Sequence, residues 1–129
     1  MAKLFFSYSA DDKDFARKLA HDLDGFGHET WIDEEQILWG DSFIEKTQEA
    51  LRSASAVIVV LSEASRSSQW LAFELGAATA QGKRIFPVVL SDDTSLVPFQ
   101  LGNLQYLRAQ RSEPSEVAAK ISRALQNDA

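Results

Sequence analysis

The sequence predicts an α/β fold in which helices cover both faces of a parallel β-sheet. Short apolar runs typical of buried strands alternate about five times with segments that have the periodicity of amphipathic helices. The run ASAVIVVLS (54–62) is continuously apolar and β-branched, as expected for a central strand. The chain has 129 residues, 45% of them hydrophobic and 25% charged, which predicts a single domain over residues 1–129.

The first unit is a strand followed by a helix. The run KLFFSYS (3–9) is short, apolar and aromatic, which favours a buried strand. Ser9, with Asp12 three residues later, has the pattern of a capping box and predicts the start of a helix. This helix is expected to end at Gly25 and Gly27. One face of it is predicted to carry Phe15, Leu19, Leu23 and Phe26.

The second unit begins with HETWI (28–32), a short predicted strand, and continues with a polar loop, DEEQILWGD (33–41). Ser42 and Glu45 form a second capping-box pattern, so another helix is expected to begin there. Its apolar face is predicted to carry Phe43, Thr47 and Leu51.

The third and fourth units follow the strand at 54–62. A serine-rich loop leads into a helix that is expected to run through Ala80 and to end at Gly82. The run RIFPVVL (84–90) predicts the fourth strand. Its Pro87 favours an end or edge position, because proline cannot donate a hydrogen bond to a neighbouring strand.

The fifth unit consists of a weak predicted strand, LQYL (104–107), and a final helix from Glu116 to Gln126. Five such units fit a flavodoxin-like sheet of five parallel strands in the order 2-1-3-4-5 better than a barrel. Ligands bind such sheets outside the carboxyl ends of the strands, where the strand order reverses. The candidate site therefore comprises loops 7–12 and 62–69, with 33–41 beside them.

Composition disfavours several classes of function. The net charge of −6, with scattered basic residues, argues against a nucleic-acid partner. Without cysteine, and with His21 and His28 as the only histidines, no metal site is predicted. No apolar run approaches the ~20 residues of a membrane helix, and the N-terminus lacks the pattern of a signal peptide. These features predict a cytoplasmic protein without a membrane partner.

The predicted loops also disfavour three common occupants of this fold. Dinucleotide sites and P-loops need glycines after the first strand, whereas SYSADD (7–12) has none and carries two acidic residues. The same two acids would repel a flavin phosphate. A receiver domain needs an aspartate at the end of the third strand, which here ends with Leu61 and Ser62. Serines and aspartates at helix starts commonly act as caps, so the first-loop residues also fit a structural role.

Glu74 lies four residues after Trp70 in the segment SSQWLAFELGAA (67–78). Residues i and i+4 share one face of a helix, so both side chains are expected to point the same way. If the helix is largely covered, the carboxylate needs a partner or a cleft whose desolvation raises its pKa. A solvated glutamate beside a core tryptophan fits the same pattern, and helix geometry alone leaves both interpretations open.

Four segments, taken in order, resemble a Toll/interleukin-1 receptor (TIR) domain of the prokaryotic kind. They are FFSYSADD (5–12), WIDEEQILWGDSF (31–43), SASAVIVVLSEASRSSQWLAFEL (53–75) and RIFPVVL (84–90). The resemblance extends from about Lys3 to Leu125, and it implies the same five-stranded flavodoxin-like sheet.

The resemblance implies an enzyme that cleaves the nicotinamide–ribose bond of NAD, with Glu74 as the catalytic residue. The products would be nicotinamide and ADP-ribose or a cyclic ADP-ribose isomer, with NAD as substrate and no separate cofactor. Cleavage expels a neutral nicotinamide through an oxocarbenium-like transition state, which one carboxylate can stabilise. The residues that correspond to the substrate pocket of the family are Phe6, Ser7, Tyr8, Ser9, Asp33 and Trp70.

The resemblance also implies partners. The loop at 33–42 corresponds to the BB loop, an assembly surface, and its predicted apolar tip is Ile37, Leu38, Trp39 and Gly40. Self-association with other TIR domains is therefore expected to activate the enzyme, in immune or cell-suicide signalling. A sensor domain or partner chain would supply the signal.

Two other functions fit parts of the sequence. A non-enzymatic adaptor would act through homotypic contacts of the 33–42 loop, and it would have no use for a carboxylate in a pocket. An enzyme similar to nucleoside deoxyribosyltransferases would use a glutamate on ribose and exchange bases on deoxynucleosides.

The loop after the fourth strand differs from the family pattern. Enzymatic TIR domains often place an aromatic residue there that completes a neighbouring subunit's site, and in this sequence the loop offers only the aromatic Phe99.

Overall fold

A computed structural model gives the fold and describes residues 3–32, 43–63, 76, 78–90, 107–109 and 113–126. The strands are β1 (Lys3–Ser7), β2 (Glu29–Trp31), β3 (Ala56–Leu61), β4 (Arg84–Val89) and β5 (Leu107–Arg108). The helices are α1 (Lys13–Gly25), α2 (Phe43–Ser53) and α3 (Pro114–Gln126), with a short 3₁₀ helix (Ala10–Asp12) before α1. Residues 78–80 are also helical. Within these ranges, no helix has the length and apolar character needed to cross a membrane.

The strands form a parallel sheet in which β1 lies between β2 and β3. The register places Phe5 of β1 opposite Trp31 of β2, and Phe6 of β1 opposite Ile58 of β3. β3 pairs with β4 along its whole length. The order β2-β1-β3-β4 confirms the predicted order of the first four strands, so the strand order reverses between β1 and β3.

The far edge of the sheet agrees with the prediction in part. β5 pairs in parallel with β4 through two residues, opposite Val88 and Val89. Residues 104–106, most of the predicted fifth strand, lie outside the described residues, so a full fifth strand stays a prediction.

Pro87 lies inside β4 and not at its end, which corrects that part of the prediction. Leu90 donates its backbone N–H to the Leu61 carbonyl of β3 at 2.8 Å. Because backbone groups alternate between the two sides of a strand, the nitrogen of Pro87 faces away from β3. Pairing with β5 begins only one residue later, at Val88, so the strand accommodates the proline.

The larger core fills the face of the sheet that α1 and α3 cover. Its buried apolar residues include Leu4, Phe6, Phe15, Leu19, Leu23, Ile58, Val60, Val117 and Ile121. These positions confirm most of the predicted apolar face of the first helix. Phe26 was expected on the same face, but it is 53% exposed. The reason is that α1 ends at Gly25, so the helical periodicity stops before Phe26.

A second core fills the opposite face, which α2 and the helical residues 78–80 cover. Its buried residues are Phe5, Leu51, Ala54, Val57, Val59, Leu61, Ala78 and Val89. Trp31 packs against this core, and its ring stacks on that of Phe5 with 5.2 Å between centroids. Helices therefore cover both faces, as predicted, and alternate strand residues contribute to the two cores.

Two glycines end helices in the left-handed region of backbone conformation. The φ of Gly27 is 91° and that of Gly82 is 68°. In each case the next residue donates its N–H to the carbonyl five residues earlier, at 3.2 and 3.1 Å. This pattern is the Schellman motif, which favours glycine because a side chain strains positive φ. Both predicted helix ends are therefore confirmed.

A buried histidine connects the start of β2 with α3. His28 is 8% exposed, and a hydrogen bond of 3.0 Å joins its Nε2 to Ser122 Oγ. Its Nδ1 has no hydrogen-bond partner in the described part of the chain. Burial lowers the pKa of His28 below 6.5, because a charged imidazolium is poorly solvated there.

The free energy of unfolding is expected to fall as the pH drops below about 6.5. The unfolded chain protonates His28 near its ordinary pKa of 6.5, before the folded chain does. The stability that neutral His28 contributes is therefore fully present above about pH 6.5 and is lost as the pH falls toward the lowered pKa of the folded state. Denaturant unfolding at several pH values measures the slope. His28→Gln should flatten it, and an unchanged slope in this variant would contradict this account.

Candidate functional site

The candidate site lies where β1 and β3 end. The strands pair in parallel, and the last register pair joins Ser7 to Val59. β1 continues into a loop at Tyr8, and β3 into a loop at Ser62. The strand order reverses between these two strands, and α1 after β1 and the helical residues 78–80 after β3 cover opposite faces of the sheet. A crevice at this edge is the usual ligand position of such folds.

The first loop folds directly into the 3₁₀ helix that precedes α1. Asp12 donates its backbone N–H to the Ser9 carbonyl at 2.9 Å. The Ser9 hydroxyl donates to Asp12 Oδ2 at 3.0 Å. A helical segment therefore begins directly after Ser9, as the capping-box pattern predicts. The two side chains, however, bond to each other, and α1 begins at Lys13 without a side-chain hydrogen bond from its N-cap residue, Asp12.

The loop after β3 meets the first loop at the same carboxylate. Ser62 is 1% exposed, and its hydroxyl donates to Asp12 Oδ2 at 2.6 Å. One oxygen of Asp12 thus accepts hydroxyl hydrogen bonds from both loops. Bonds of this kind, in which a carboxylate is the acceptor, are shorter and stronger than neutral ones. We call Ser9, Asp12 and Ser62 the Asp12 bridge.

The two acidic residues of the first loop have different environments. Asp11 is exposed and Asp12 has no exposed surface. Both residues suit the start of a helix, and the capping-box pattern pairs Asp12 with Ser9 without indicating that Asp12 is buried. The signal that distinguishes them is the serine that ends the third strand, since the predicted strand order places the first and third strands side by side. That combination, and not the capping pattern, indicates which acid is buried.

The predicted pocket residues at the end of β1 and in the first loop are all buried. Phe6 and Ser7 have no exposed surface, and Tyr8 and Ser9 are 8% and 7% exposed. Phe6 and Tyr8 belong to the core under α1 and α3. Their predicted role in binding a substrate stays a prediction. The other predicted site residues lie outside the described residues, namely Asp33, Ile37, Leu38, Trp39, Gly40, Trp70 and Glu74.

A surface cleft of ≈ 600 Å³ adjoins the first loop on the side of α1. The described residues that line it are Asp11, Asp14, Phe15, Arg17 and Lys18. The set contains two acidic and two basic side chains. No sequence motif assigns a role to Arg17 or Lys18.

Comparisons with known proteins agree with the fold. A family model described as the TIR domain matches residues 4–125. Among solved structures, the TIR domain of the Toll-related receptor TRR-2 from Hydra magnipapillata matches with a TM-score of 0.79 at 20% identity. That match covers 99% of this chain and 98% of the receptor domain.

Two curated bacterial proteins are similar in sequence. The chain is 36% identical over 90 residues to the 2' cyclic ADP-D-ribose synthase AbTIR of Acinetobacter baumannii, which covers 66% of this chain and 34% of that protein. It is 28% identical over 127 residues to the NAD(+) hydrolase TcpC of Escherichia coli, which covers 92% of this chain and 41% of that protein. The chain thus spans less than half the length of either relative.

Proposed function

Because the chain belongs to the TIR domain family, we propose that it cleaves the nicotinamide–ribose bond of NAD. The products of the proposed reaction are nicotinamide and either ADP-ribose or a cyclic ADP-ribose isomer. The observation that carries the proposal is the similarity to two relatives that are named for NAD hydrolysis and for cyclic ADP-ribose synthesis. NAD is the proposed substrate, and the proposed reaction needs no separate cofactor.

In this proposal, Glu74 is the catalytic residue. The bond breaks by loss of neutral nicotinamide from a cationic pyridinium, so the leaving group needs no protonation. Positive charge develops on the ribose as the bond breaks, and a carboxylate beside it stabilises that charge. A water molecule or a hydroxyl of the same substrate then attacks the ribose, giving the linear or the cyclic product. Trp70 is assigned to stacking on a ring of NAD.

The end of β1 and the first loop contribute to the proposed pocket in two ways. Tyr8 and Ser9 retain a small exposed fraction, which can contact NAD. Phe6 and Ser7 have none, so we assign them the support of the pocket wall. Asp33, which follows β2, is assigned to the pocket by the family resemblance alone.

We further propose that self-association activates the enzyme, with Ile37, Leu38, Trp39 and Gly40 at the contact surface. An immune or cell-suicide role, and a sensor domain or partner chain that triggers assembly, belong to the same proposal. The apolar character of three adjacent residues in an acidic loop supports a contact surface.

Purified protein incubated with NAD is expected to release nicotinamide, and the rate per molecule is expected to rise with protein concentration if assembly activates it. Chromatography of the ribosyl product distinguishes ADP-ribose from a cyclic isomer. A constant rate per molecule would contradict activation by assembly. No release at any concentration would contradict the enzyme and favour the adaptor. Base exchange on deoxynucleosides with NAD intact would indicate a deoxyribosyltransferase-like reaction.

A further inference from the structure

We propose that Asp12 is a positioning residue that holds the loop after β1 against the loop after β3. Its carboxylate joins Ser9 of the first loop to Ser62 of the second loop through one oxygen, Oδ2. The inference rests on the proposed function, because it assigns the Asp12 bridge the task of keeping the two sides of the NAD crevice in register.

The bridge lies beyond the point where the backbone holds the strands together. The last register pair of β1 and β3 is Ser7 with Val59. Ser9 follows the end of β1 at Ser7, and Ser62 follows the end of β3 at Leu61, so both residues lie beyond this register pair. Asp12 and Ser62 are 50 residues apart in sequence, so their hydrogen bond joins two separate units of the fold. The Asp12 bridge therefore extends the β1–β3 connection to the edge where a ligand binds.

Burial makes this connection strong. Asp12 has no exposed surface, Ser62 is 1% exposed and Ser9 is 7% exposed. Hydrogen bonds to a carboxylate in such surroundings are strengthened by the low local dielectric. Loss of one hydroxyl removes one of the hydrogen bonds that connect the two loops through the buried carboxyl group, so the loops are held together less firmly.

The two loops carry the groups of the proposed reaction. The first loop contains Tyr8 and Ser9, and Ser62 begins the segment that leads to Trp70 and Glu74. A shift of about 1 Å between groups that act together can slow a reaction about a hundredfold. A change in the Asp12 bridge should therefore reduce the turnover number more than it weakens NAD binding.

The experiment compares two buried serines that lose the same oxygen atom. Ser62→Ala removes a donor of the bridge, and Ser122→Ala removes the hydrogen bond to His28, which precedes β2. Both residues are nearly fully buried, at 1% and 3% exposure. Both variants should stay folded, and the larger loss of thermal stability is expected for Ser62→Ala because its hydroxyl bonds to a carboxylate. Ser62→Ala should lower kcat for nicotinamide release about tenfold to a hundredfold, with less change in KM. Ser122→Ala should leave kcat within about twofold.

Two further variants complete the comparison of kcat: Asp12→Asn alone, and a double variant that carries both Asp12→Asn and Ser62→Ala. If both residues act through one bridge, the double variant should lose little more activity than the more impaired single variant. If the fold-losses in kcat of the two single variants multiply in the double variant, the two residues act independently and the shared bridge is overturned. Equal kcat in Ser62→Ala, Ser122→Ala and the wild type would overturn the positioning role.

Amide hydrogen exchange separates this inference from the proposed function. Asp12→Asn should speed exchange in both loops, at residues 8–12 and 62–63, and Ser122→Ala in neither. Faster exchange in one loop only would overturn the coupling. If the wild type releases no nicotinamide but Asp12→Asn still speeds exchange in both loops, the proposed function and the catalytic consequence of the bridge are overturned. The coupling of the loops by Asp12 would then be confirmed on its own.

Discussion

The variant Glu74→Gln is expected to release nicotinamide from NAD about a hundredfold to a thousandfold more slowly than the wild type. Glutamine keeps the size of the side chain and can still accept a hydrogen bond, but it carries no charge. If the carboxylate stabilises the positive charge that develops on ribose, its loss should reduce kcat more than it changes KM. Nicotinamide release at saturating and at limiting NAD separates the two effects.

The matched control is Glu116→Gln, the same substitution at an exposed position of α3. It changes the net charge by the same amount and should leave the rate within about twofold, because exposed charges far from a site act weakly through solvent. Unfolding midpoints of both variants show whether the folded state is retained. A well-folded Glu74→Gln variant with wild-type turnover would show that another group stabilises the transition state.

The second large effect is expected for Phe5→Ala, which should lower the free energy of unfolding by about 3–5 kcal/mol. Phe5 has no exposed surface and packs in the core under α2, where its ring stacks on Trp31 at 5.2 Å. The substitution removes this contact and leaves a cavity between β1 and its neighbours. Since a domain of this size is stable by about 5–15 kcal/mol, the variant should be folded only marginally.

Phe26→Ala is the matched control for this prediction. Phe26 is 53% exposed after the end of α1, so truncating it should cost about 1 kcal/mol or less. Urea unfolding of the two variants measures both losses on the same scale. Comparable losses would mean that the ring of Phe5 contributes less to the core than its burial indicates.

Local sequence patterns predicted much of the fold, because helix ends and buried strands depend on residues that are close together in the chain. Gly27 and Gly82 end helices as predicted, since a positive φ is a property of the residue itself. The continuous apolar run from Ala56 to Leu61 is the central strand for an equally direct reason, because both of its faces are covered. Phe26 shows where periodicity fails, since the pattern continues for one residue after the helix has ended.

The sequence by itself determined the order of the first four strands and the family, and the family resemblance selected Glu74 as the residue to test first. It did so because hydrophobic periodicity and ordered motifs are properties of the chain that survive without tertiary contacts. Only the tertiary structure decided that Asp12 is buried and Asp11 is exposed. The capping pattern pairs Ser9 with Asp12, but the hydrogen bond from Ser62 forms only when β3 packs beside β1. Burial and long-range hydrogen bonds depend on the packing of distant segments, which no local pattern contains.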